Sequence, residues 1–255
     1  MSRHSRILPW CVTALSFFLF QLVFQKPSFI FGAAGILLVG CFVTTHVLLG
    51  PRLQTPSSRL KFAMIPTLLG WTALGFSLVL ETTLGRQFLA LVVSVLFILF
   101  FESLITYIWE HEAYETYSLE NIAAYGLTLA VFFGSGTLLA LYVLLGLNIG
   151  VVMALGAILF FMIHYEMVWI SKLSSARMPI MVGVLTLLML ECMLAFALLP
   201  FHFMVAAAAL TILWYLAISL TRASELKLLT KKMIGRHMMF GGMLLLVLFV
   251  IARWT

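Results

Sequence analysis

The chain has 255 residues, is 64% hydrophobic and carries charge on only 9% of them. A soluble domain is usually about 25% charged, so this composition excludes an ordinary water-facing globule and points to a bilayer as solvent. The net charge of +6 reads as the basic bias of membrane-protein loops, and no basic soluble segment is present that could dock on nucleic acid.

Nine apolar segments of about 20 residues follow one another: 7–25, 28–49, 61–82, 86–107, 121–144, 148–170, 177–198, 201–221 and 237–253. Each is long enough to cross about 30 Å of hydrocarbon as a helix and too long for a barrel strand. The expected fold is all-α, a polytopic transmembrane helix bundle of about nine spans in one integral membrane domain. The stretches 25–28, 50–59 and 198–202 carry prolines and read as breaks. "LGLN" (145–148) reads as a tight hairpin with Asn148 as N-cap. The basic start "MSRHSR" followed by an apolar run resembles a signal peptide, but the run ends in "FQKPSF" without a small-residue cleavage pattern, so the first span reads as a retained anchor.

Orientation follows from lysine and arginine. With the N-terminus in the cytoplasm, twelve of the 15 basic residues fall on inside segments, and only Lys26, Arg86 and Arg253 fall outside. Nine spans then leave the C-terminus outside. The expected location is a bacterial cytoplasmic (inner) membrane.

One inside segment departs from the basic pattern. All nine acidic residues are glutamates, and Glu110, Glu112, Glu115 and Glu120 cluster in or next to residues 108–120, with Glu102 just before. This acidic cytoplasmic loop could meet a basic protein partner. It also reads as a solvated loop, with Ser118 and Glu120 forming the N-terminal charge of the fifth helix. The segment 222–236 is basic, and Ala223, Leu226, Leu229 and Met233 fall on one helical stripe. It reads as an amphipathic cytoplasmic helix, with Lys227, Lys231 and Lys232 meeting anionic inner-leaflet lipids, or as a plain basic loop.

Charge inside a span is costly and usually faces the bundle interior. At 1.5 Å per residue, Glu102 and His164 lie about 24 Å from the outer face and His46 about 27 Å. These three, with the deep Glu191, are the candidates for a polar interior. Glu110, His111, Glu115, His164 and Glu166 could instead hold a divalent metal or do acid/base work, since imidazole and carboxylate together suit both. No H-E-x-x-H, histidine box or cysteine pair accompanies them, and no cofactor is indicated. The bland reading makes the histidines interfacial and Glu191 an interhelical hydrogen-bonding acid. Cys11, Cys41 and Cys192 read as buried free thiols. Gly146, Gly150 and Ala154 make a small-residue ridge expected to pack closely on the fifth span. Ser135 in "FGSGT" lacks a positioned base, so a serine nucleophile with His202 is a remote reading.

Three function classes remain open on the sequence. The first is small-solute or ion transport through a polar interior. The second is a membrane-embedded enzyme using the cytoplasmic-side Glu/His residues. The third is a non-catalytic scaffold or accessory subunit.

Overall fold

A computed structural model describes residues 3–49, 56–109, 119–171, 177–225 and 227–252. Among them nine long α-helices follow in order. They are α1 (Arg3–Gln25), α2 (Ile30–Leu49), α3 (Pro56–Val79), α4 (Thr83–Trp109), α5 (Leu119–Leu145), α6 (Ile149–Ile170), α7 (Met178–Ala197), α8 (Phe203–Glu225) and α9 (Lys231–Ile251), with a single 3-10 turn at Pro27–Phe29. Each is long and apolar enough to cross a membrane. The chain is therefore a multi-pass helical membrane protein, in which every span satisfies its own backbone locally, as hydrocarbon requires.

The helix ends agree with the predicted spans within a few residues except at the start of α9, which begins six residues before the predicted 237. Proline does not always break a span: Pro9 lies inside α1 and Pro66 inside α3. Membrane helices tolerate this because neighbouring hydroxyls and local adjustment re-satisfy the freed backbone groups.

Contacts cluster the chain into two compact units, Met1–Ala130 and Val131–Thr255, with the boundary inside α5. In the first, α1 packs antiparallel on α4. Ser16 and Ser94 hydroxyls lie 3.5 Å apart, and the Gln21 and Gln87 amides exchange two hydrogen bonds of 2.8 and 2.9 Å. α2 and α3 form an antiparallel hairpin, pinned where Trp71 Nε1 donates to the Ala34 carbonyl at 2.9 Å. Phe20, Phe97, Phe101 and Leu74 fill the centre. The hydroxyls of Thr13, Thr67, Thr72 and Ser77 are buried but bond to carbonyls three or four residues earlier in their own helices. They cost little in an apolar core for that reason.

In the second unit α5 turns into α6 through Gly146, whose φ of 63° is the left-handed conformation that favours glycine. Asn148 caps α6 as expected, its side chain accepting from the Gly150 N–H at 2.8 Å. The expected ridge does not pack, however: Gly146, Gly150 and Ala154 are all exposed. Close approach occurs instead at Gly156, where an added Cβ would lie 2.7 Å from Met193 Cε on α7. α6 buries Val152, Gly156, Phe160, Ile163, His164 and Met167, and α7 answers with Val182, Leu185, Thr186, Met189 and Met193. α8 packs on α7 and α9, and its Trp214 is fully enclosed. α9 is held more lightly. Gly241 is its one buried residue within the helix, seated on Leu216 of α8, and the Phe201 and Phe249 rings stack at 5.1 Å.

The segment 222–236 is not one amphipathic helix. α8 runs on to Glu225 and ends in a Schellman-type turn, with Leu228 N–H bonding to Ala223 O at 2.9 Å and Lys227 N–H to Ser224 O at 3.0 Å. Lys227 takes the left-handed position, φ 56°, where glycine is usual. Thr230 then caps α9, its hydroxyl accepting from Met233 N–H at 3.2 Å. Two good end signals in five residues interrupt the apolar stripe. Lys227, Lys231 and Lys232 are exposed at these helix ends.

Candidate functional site

The interior polar group that stands out is on the α6–α7 hairpin. His164 is completely buried, and its Nδ1 lies 3.0 Å from the Thr186 hydroxyl of α7. Phe160, one turn earlier, places its ring 6.3 Å from the imidazole. The antiparallel register that seats Gly156 by Met193 also brings 164 opposite 186. His164 Nε2 is buried without a hydrogen-bond partner among the described residues. A buried polar atom in that state costs about 1–3 kcal/mol, which a small donor or acceptor reaching it would relieve. Glu166 is buried as well, 4% exposed, two residues further along α6. These two are the buried imidazole and carboxylate of the described chain.

The other three predicted interior residues are on the surface of the chain. His46, Glu102 and Glu191 are each exposed. His46 lies on α2 and receives a hydrogen bond from Arg59 of α3, Nη1 to Nδ1, at 3.2 Å. Glu102 lies on α4, whose neighbours in its unit are α1 and α3. Within the first unit, then, His46 and Glu102 are exposed residues of two different helices, α2 and α4. Glu191 lies on the outer face of α7, in a run of exposed residues that includes Ile180, Val184, Leu187, Leu188 and Leu194.

Glu110, His111 and Glu115 lie outside the described residues, as does most of the acidic 108–120 stretch. Among the described residues no group of three potential metal ligands is assembled, and His164 with Glu166 is the part of the proposed metal set that can be placed. Ser135 donates to its own helix, to Val131 O at 2.7 Å, while His202 Nδ1 accepts from Met204 N–H at 3.3 Å at the start of α8. Both are occupied with helix ends and backbone, which leaves no Ser–His pair. The three cysteines are free, but only Cys41 is fully buried; Cys11 is exposed and Cys192 half-buried.

Sequence reading missed Thr186, Arg59 and the Arg236–His237 pair. Threonine at helical spacing inside an apolar run carries no signal of its own. The Arg59–His46 contact becomes visible only when α2 and α3 are laid side by side, whereas Arg236 and His237 are consecutive residues whose hollow needs α8 beside them. The chain matches no known protein family, no curated protein and no solved structure.

Proposed function

We propose that this multi-pass membrane protein is a non-catalytic assembly or accessory subunit, which holds another membrane-embedded segment against the outer face of α7. The observation that carries this reading is Glu191. It is exposed on an apolar helix face, six residues or about 9 Å from the end of α7 at Ala197. An acid within a span costs up to about 2.5–3.5 kcal/mol on insertion scales, the full value applying at the helix centre. A donor on a neighbouring transmembrane segment, such as a lysine, arginine or amide side chain, would remove most of that cost. The surrounding Val184, Leu187, Leu188 and Leu194 supply the apolar contact, and Gly183 lets a helix come close. Exposed Glu102 on α4 offers a second seat of the same kind.

The test is the size of the complex extracted from native membranes. Wild-type chain should migrate as a larger assembly, Glu191→Leu as the smaller species, and Glu191→Gln close to wild type because the amide keeps a hydrogen bond. An unchanged assembly in Glu191→Leu overturns the proposal.

Transport of a small solute or ion is a second reading, favoured by the enclosed His164–Thr186 pair and its unpartnered Nε2. It predicts a flux in proteoliposomes that His164→Ala abolishes and Glu191→Leu leaves intact, the opposite pattern from the assembly reading.

A further inference from the structure

Two hollows beside the spans share one chemistry. The first, of about 290 Å³, lies where α2 ends and α3 begins, lined by Phe42, Val43, His46 and Arg59. Arginine has no acceptor, so His46 Nδ1 accepts the 3.2 Å bond from Arg59 and the ring carries its hydrogen on Nε2. The imidazole stacks on Phe42 one turn earlier, with ring centroids 6.2 Å apart and planes at 21°. The hollow therefore combines a guanidinium, an N–H donor and an apolar wall.

The second, of about 220 Å³, lies between α8 and α9, lined by Tyr215, Leu216, Arg236, His237 and Phe240. It again joins one arginine and one histidine to aromatic and aliphatic walls without a carboxylate among the described lining residues. His237 is held in place by its Nδ1–H donating to Met233 O at 2.9 Å. Arg59 falls in the first turn of α3, the end where the backbone dipole favours an anion. The sequence-based orientation puts both connections on the basic, cytoplasmic face.

We propose that each hollow binds an anionic phospholipid, with the phosphate held by the arginine, joined in the first hollow by the His46 Nε2–H, and an acyl chain lying along the aromatic wall. A guanidinium fork matches phosphate oxygens two at a time. The apolar half of each hollow has no use for a free inorganic anion. It suits a ligand that is charged at one end and hydrocarbon at the other. The two sites are built from unrelated stretches of sequence in separate units, so the recurrence is not a by-product of one local fold. They are distinct from the lysines at the α8–α9 break.

Native mass spectrometry of the full chain in detergent tests this, with phosphatidylglycerol, phosphatidylcholine and inorganic phosphate as probes. Wild type should retain two phosphatidylglycerol molecules, Arg59→Gln one, Arg236→Gln one and the double variant none. Each lost site should raise its dissociation constant roughly tenfold or more, as expected for one charge-assisted bond. Phosphatidylcholine should bind at least roughly tenfold more weakly. A Val43→Trp chain keeps both cations but fills the first hollow, and it should lose the same lipid as Arg59→Gln. Equal binding of both lipids, unchanged stoichiometry in the arginine variants or in Val43→Trp, or binding of inorganic phosphate in place of lipid each overturns the proposal.

Discussion

Gly241 is the one buried residue of α9, which makes Gly241→Ala a sharp perturbation of its contact with α8. An alanine Cβ there would stand 2.8 Å from Leu216 Cδ2 and 2.9 Å from Cγ, besides touching Cδ1. Cγ is the branch point of the leucine, so the clash is not relieved by swinging a terminal methyl. Leu216 itself is buried. Either Leu216 leaves its rotamer or the helices move apart, at a cost of about 1–3 kcal/mol for overpacking. Alanine regains up to about 1 kcal/mol of helix propensity over glycine. The net expectation is a loss of about 0–3 kcal/mol, a range too wide to interpret alone. A double-mutant cycle with Leu216→Ala separates the two effects. In the Leu216→Ala background the clash is gone, and Gly241→Ala should be neutral or stabilising by up to about 1 kcal/mol. The coupling between the two sites should be about 1–3 kcal/mol, whatever Leu216→Ala costs by itself. Reversible unfolding in mixed micelles, titrated with denaturing detergent, measures all four corners. Equal costs of Gly241→Ala in both backgrounds would refute the seating of Gly241 on Leu216. They would also refute the account of how α9 is held.

Two further expectations follow from named contacts. Thr186→Val removes the partner of His164 Nδ1 and should destabilise the α6–α7 hairpin by about 1–3 kcal/mol in the same assay, with Thr186→Ser recovering most of it; a silent Thr186→Val would mean the pair is not formed. Lys227→Gly relieves a left-handed backbone that costs a residue with a Cβ about 1–2 kcal/mol. After glycine's greater loss of freedom, a gain near 1 kcal/mol in thermal stability is expected. A loss of stability would count against the Schellman-type end of α8.

The amino-acid sequence by itself determined that the chain lives in hydrocarbon, that it crosses as helices, how many crossings it makes and where most of them begin and end. The reason is length and composition. A run of about 20 apolar residues has one stable solution in a bilayer, and breaks such as the Gly146–Asn148 turn punctuate it locally. The existence and extent of each helix were legible for that reason, since they need only length and composition. Facing was not. A span that is apolar all round carries no stripe to say which side meets another helix and which meets lipid. His46, Glu102, His164 and Glu191 look alike in sequence, yet only His164 is turned inward, because Gly156 and Met193 set the register that carries it to Thr186. The Arg59–His46 and Arg236–His237 hollows likewise depend on which helices lie side by side. Packing between helices settles the direction of each side chain, and in a membrane that packing rests on small residues and shape rather than on a hydrophobic pattern that can be read from the chain.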